Sequence, residues 1–424
     1  MSIKLDTKIK EEGKWTKFKI FPQPSFLKGF DTPEDIIINI AAGGVKAGPE
    51  DDRFYTADAV DKIPYQDRYL PPYHGKKNPE VKPDHNGHFD YLEINSREFQ
   101  VAHMYAVARR ALDIWEDYFG RKIEWIFRLH YDKMELIPLI KWDNAQSGYG
   151  FLEFGYGTAE WGGIDFAKPY CMNFDVIVHE LVHNILFSEV GFPDQETQTY
   201  EFGGFHEASA DLGSIIIALH SNKVVKHLLD FSNGNLFTFN ELARVGELSK
   251  NEHIRNAFNY ERMSTVGEES HDLSKPLTGA IFDVFVEVFQ KELVEANLIS
   301  KELAELSYHG PVENPDVVEI NRQFADAYKG KEEKFKDALL RARDYFGQLM
   351  VMLWNRIEPS FLNYAKVGIE VLSADVQLTG GKHQNTIREC FIWREIQFPP
   401  ESPELRTWKT FLRYPDRYKK ETDK

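Results

Sequence analysis

His179-Glu180-Leu181-Val182-His183 sets two imidazoles four residues apart. On a helix, positions i and i+4 lie one turn apart on the same face, so both rings can aim at one point. Zinc suits that point: it accepts imidazole nitrogen at about 2.0–2.1 Å and completes a catalytic site with a third protein ligand and a water. Glu180 is rotated by about 100° from His179, beside the metal rather than on it, which is the place for a general base. A histidine pair of this spacing also fits an ordinary amphipathic helix, so the reading needs a third ligand.

A candidate follows in Phe205-His206-Glu207-Ala208-Ser209-Ala210-Asp211, twenty-four residues after His183. That interval leaves room for a loop and a returning helix to bring Glu207 to the metal. Asp211, four residues on, shares its face and can accept the second ring N–H of a ligand histidine, His179 above all. The neighbours are Phe205, Ala208, Ala210, Leu212 and Ile215–Ile217. Carboxylates among so many apolar residues are costly unless they have a task.

HExxH followed by Glu-Ala-Ser-Ala-Asp resembles the thermolysin-like metallopeptidases of the gluzincin group. The likeness spans roughly residues 96–395 and is strongest over 173–217, where Phe174-Asp175-Val176-Ile177-Val178 leads into His179. It implies His179, His183 and Glu207 as ligands of Zn2+, Glu180 as base and Asp211 as orienter of a ligand ring. It implies three further roles. His271, in Glu269-Ser270-His271-Asp272-Leu273-Ser274, resembles the histidine that meets the transition state. Arg244 resembles the arginine that holds a substrate carbonyl, and Tyr200 the oxyanion tyrosine, at a slightly short spacing from Glu207. Each of the three also has a plain reading, as a cap, a surface arginine and a core tyrosine. The sequence departs from the secreted relatives at Ala218, where they supply a calcium-binding carboxylate, so Asp175 is left as a helix N-terminal charge. Neither their leader nor their propeptide is recognisable in residues 1–95, which suggests an intracellular branch.

The residues imply zinc-assisted amide hydrolysis, with Glu180 moving the proton and His271 and Tyr200 facing the oxyanion. Endopeptidase action on peptides or proteins is the leading reading. An aminopeptidase would need an acid for the substrate amine, and Glu160 in Gly157-Thr158-Ala159-Glu160-Trp161 could serve, although a turn-exposed glutamate reads as well. A binding protein stapled by zinc is the third reading; Glu180 counts against it, since a structural site has no use for a base. His85 and His88 belong to a polar turn, and His206 points away from Glu207's direction.

The elements that must position these residues follow from periodicity and breakers. Nine of the twenty prolines fall between Pro22 and Pro83, so residues 1–95 read as an irregular or short-stranded segment wrapped over the body. Asn95 with Glu98 predicts a helix start, and Val101, Tyr105, Ala108, Leu112, Trp115 and Phe119 continue it to a stop at Gly120. Ile123–Tyr131, Glu135–Trp142 and Tyr149–Tyr156 read as strands. Asn173 predicts a cap for a helix to Glu189, and Phe205–Ser221, Phe239–Leu248, Pro276–Glu295, Lys331–Ile357 and Gln384–Trp393 read as helices. Strands first and helices later predict an α+β lobe followed by an α-helical lobe, and the resemblance implies that together they form an α+β, zincin-like, two-lobed metallopeptidase. Its expected parts are 1–95, an α+β lobe over 96–221 and a mainly helical lobe over 222–424.

Composition sets outer bounds. A 424-residue chain with 42% hydrophobic and 28% charged residues is globular rather than disordered. A net charge of −16 leaves no basic surplus for nucleic acid. Two cysteines, Cys171 and Cys390, exclude a disulfide framework. No apolar run is long enough for a membrane span or a leader, which predicts a cytoplasmic protein, with export lacking a leader left open. Nothing in the composition fixes an oligomeric state.

Overall fold

The computed structural model describes residues 14–66, 70–159, 162–237, 244–249, 252–257, 259–307 and 315–398. The chain divides into two compact units, one of Met1–Gly191, Gly213–Lys223 and Val245–Arg255, the other of Phe192–Leu212, Val224–Arg244 and Asn256–Lys424. It is a mixed α+β chain, with its larger sheet in the first unit and its long run of helices in the second.

The first unit is built on helix α1 (Arg97–Phe119). Ser96, one residue later than the expected Asn95, caps it by accepting from the Phe99 N–H, and Gly120 ends it at φ 69°. Strands β1 (Trp15–Ile20) and β2 (Glu34–Ala41) pair antiparallel and pack on α1. A four-stranded sheet runs in the order β3 (Phe54–Thr56), β4 (Met134–Ile137), β6 (Phe151–Phe154), β5 (Ala145–Gly148). β3, β4 and β6 are parallel, and β5 is the antiparallel edge. Register sets Tyr55 beside Glu135 and Gln146 beside Glu153. Both glutamates are fully buried. Their oxygens are taken up: the Tyr65 hydroxyl and Tyr73 N–H donate to Glu135 at 2.6 and 2.9 Å, while the Tyr65 N–H, Gln146 and Lys62 donate to Glu153.

A two-stranded ribbon, β7 (Tyr156–Thr158) with β8 (Ile164–Pro169), leads into helix α2 (Phe174–Glu189), which packs on α1 and β5. Asn173 caps α2 by accepting from the Val176 N–H. Helix α3 (Tyr200–Ala218) begins five residues before its expected start and is followed by α4 (Asn222–Ser232). α3 starts in the second unit and ends in the first. In the second unit α5 (Ser270–Glu295), α8 (Glu332–Trp354), α9 (Tyr364–Thr379) and α10 (Gln384–Trp393) pack together, after α6 (Lys301–Ser307) and α7 (Pro315–Tyr328).

Three expectations are corrected. Ile123–Tyr131 is not a strand: the Arg128 N–H donates to Trp125 O and the His130 and Tyr131 N–H groups to Phe127 O, so the backbone closes local turns. Its β-type residues are there to pack, with Trp125 stacked on Phe127 at 5.5 Å. Phe239–Leu248 is not a helix: from Arg244 it is strand β9 (Arg244–Ser249), paired with β10 (Glu252–Asn256), and 238–243 lie outside the described residues. Gly246 weakens a helix there. Pro276 does not open its helix but sits inside α5, which starts at Ser270 because Glu269 caps it.

Candidate metal centre

Helix α2 is apolar almost all round. Of residues 174–186, Glu180 alone is not buried. His179 is 5% exposed and His183 9%. Their ring planes stand at 90°, with the two Nε2 atoms 3.0 Å apart. Ligand atoms on a tetrahedral ion with bonds of 2.0–2.2 Å lie about 3.3–3.6 Å apart, so these two nitrogens already converge as a pair of ligands would. One turn of helix and i,i+4 spacing suffice to put them there.

The third candidate ligand lies on α3. Its C-terminal half crosses α2 closely: a Cβ on Gly213 would lie 2.8 Å from Val182 Cγ2, and the Ser214 hydroxyl donates to Asp175 O at 3.1 Å. Glu207 lies six residues back along the same continuous helix, about 9 Å along its axis. One ligand atom from each of His179, His183 and Glu207 falls within 4.8 Å of the others. Two imidazoles and a carboxylate are the donor set zinc takes in a three-ligand site with an open position. The residues fit the ion. Among the described residues this is the one group of three or more His, Cys, Asp and Glu that could hold a metal.

His271 sits in the first turn of α5, with Nε2 3.4 Å from a Glu207 oxygen and its side chain 55% exposed. Glu269, absent from the residues expected at the site, holds it through its carboxylate. One carboxylate oxygen of Glu269 lies 2.7 Å from His271 Nδ1, and the other accepts from the His271 and Asp272 N–H groups at 2.9 and 3.1 Å. Burial pushes the Glu269 carboxyl up, but these hydrogen bonds outweigh it and hold it below the usual range. The signal is a glutamate two residues before the histidine, masked by Pro276, which suits the first turn of a helix starting later.

The remaining candidates fall in different places. Asp211 is buried, one turn beyond Glu207 on α3. Tyr200 is the first residue of α3, 66% exposed and two turns before Glu207. Arg244 opens β9 rather than lying on a helix. Glu160 lies outside the described residues. Ala218 is buried, and Asp175 accepts from Gln23 Nε2 at 3.4 Å in the first turn of α2. His206 packs against Phe202 and Phe205, and burial pushes its ring pKa down to about 4. Asp84 accepts from the Asn86 and His88 N–H groups, closing the turn that holds His85 and His88. No described helix is long and apolar enough to cross a membrane.

No protein-family model matches the chain, and no curated protein matches it. Among solved structures it is similar to the precursor of protealysin, a metalloproteinase from Serratia proteamaculans. The identity is 14%, with 83% of this chain and 90% of that one covered and a TM-score of 0.43. At that distance, roles rest on this chain's own residues.

Proposed function

We propose that the chain is a zinc-dependent peptidase that cleaves internal peptide bonds. The observation that carries this is the convergence of His179, His183 and Glu207 beside Glu180, the one residue left unburied along the first thirteen positions of α2. Zinc, when bound by the three, supplies Lewis acidity for the scissile carbonyl and for the attacking water. Glu180 takes the water's proton and delivers it to the leaving amine. His271, aimed at the ligand set by Glu269, donates to the oxygen on which negative charge develops. Asp211 is assigned to accepting the second ring N–H of His179, Tyr200 to the oxyanion and Arg244 to the substrate carbonyl. The substrate is a peptide or protein strand.

A peptide-library digest read by mass spectrometry, with and without a zinc chelator, tests this. The expected result is internal cleavage that the chelator stops and added zinc restores. Cleavage that ignores the chelator, trimming confined to amino termini, or no cleavage at all would overturn it.

A further inference from the structure

Gly203-Gly204 lies in the first half of α3, one turn before Glu207. Neither glycine has a positive φ, so the backbone does not demand them, and each weakens a helix interior relative to alanine. What they supply is closeness. A Cβ on Gly203 would stand 2.5 Å from Ser270 Oγ. One on Gly204 would overlap the Tyr364 hydroxyl and lie 3.2 Å from the Leu273 carbonyl carbon. Ser270 and Leu273 flank His271 in the first turn of α5. Positions 203, 204 and 207 share a helix face, so the glycine contact and the Glu207–His271 approach are two points along one seam within the second unit.

Tyr364 closes that seam. It is 1% exposed, its hydroxyl donates to Leu273 O at 2.8 Å, and its backbone N–H donates to the Glu201 carboxylate of α3. Thr199 Oγ1 donates to Leu362 O at 2.6 Å and the Phe361 N–H to Thr197 O at 2.9 Å, tying the same stretch to the start of α3. One residue thus grips α3 through its main chain and α5 through its side chain. The first turn of α5 has need of it. Pro276 has no N–H to offer Asp272 O, so this turn is short of an intrahelical bond where His271 is carried.

We infer that Gly203, Gly204 and Tyr364 are positioning residues that set where His271 stands relative to Glu207, and so to the reacting carbonyl; this rests on the proposed role of His271. The Tyr364→Phe variant removes a single oxygen. Its kcat should fall by about 10- to 100-fold, the scale of a 1 Å misplacement, with KM and zinc content unchanged. In a His271→Ala background the same change should cost nothing further. Gly204→Ala should do the same or more, and if that variant does not fold, Tyr364→Phe still decides. A second readout needs no turnover: the His271 ring resonances should shift in Tyr364→Phe and stay put in Tyr345→Phe, whose lost hydroxyl bonds Asp375 instead. If the wild-type chain cleaves no peptide, the functional reading fails while the ring resonances still judge the positioning. Unmoved His271 resonances, a rise in KM alone, or an equal loss with and without His271 would overturn the inference.

Discussion

Two clusters of acids and bases in this chain are built alike and finished differently. On the sheet of the first unit, Glu135 and Glu153 are fully buried, and Lys62, Tyr65, Tyr73 and Gln146 occupy their oxygens. On α2, α3 and α5, the two histidine nitrogens face one another at 3.0 Å, Glu207 keeps 14% of its side chain exposed and His271 55%. A buried polar network whose members satisfy each other specifies packing and has nothing left to give. Donor atoms that converge on one point at a partly open edge are arranged for something from solution. The difference teaches where chemistry resides: in convergence with access, rather than in burial or in charge alone.

The comparison can be broken by exchanging consequences. Glu180→Gln should lower hydrolysis by about 10²–10⁴-fold, the usual worth of a positioned base, while the melting temperature and zinc content hold. Steady-state rates and metal analysis check it, and lost metal would mean that Glu180 is a ligand. Lys62→Met should do the reverse. It leaves Glu153 buried without its cation and should cost about 3–5 kcal/mol in urea unfolding, with turnover per folded molecule unchanged. A variant of normal stability would show that the sheet network holds nothing together.

Protonation sharpens the contrast. His103, wholly buried in α1 with Nδ1 3.0 Å from Cys171 O, has its pKa pushed down to about 4 by burial, against about 6.5 in an unfolded chain. The folded state favours the neutral ring. Its contribution is therefore complete above about pH 6.5 and is lost as pH falls towards 4, by about 3 kcal/mol in all. Unfolding free energies measured across that window should show the slope in the native chain and a flatter one in His103→Gln; equal slopes would remove His103 from the account. The smallest effect expected is that of calcium. Position 218 is a buried alanine that offers no carboxylate, so a calcium-selective chelator should leave the melting temperature unchanged. A fall of several degrees would reveal a site that Ala218 does not abolish.

How much was legible in the sequence follows from how local each cause is. The cap at Asn173, the stop at Gly120 and the spacing of His179 and His183 depend on a few adjacent residues, and they could be read. The start of α5 is equally local, yet it was hidden by a rival signal: Pro276 suits a first helical turn, and only the two-pronged cap from Glu269 moves the start to Ser270. Ile123–Tyr131 and Phe239–Leu248 misled because aromatic and branched residues report burial before they report backbone form. The sheet network could not be read at all. Glu135 and Glu153 sit in strands where every residue is buried, so the alternation that marks a solvent face is absent, and their partners lie 62 to 91 residues away for Tyr73 and Lys62.

The central claim is that three side chains from α2 and α3 make one zinc site, and metal content tests it most directly. The chain purified without chelators should carry one zinc, Glu180→Gln should carry the same, and Glu207→Ala and His183→Ala should carry none at equal zinc activity. A wild-type chain without any transition metal, or a Glu207→Ala variant that keeps its zinc, would contradict it.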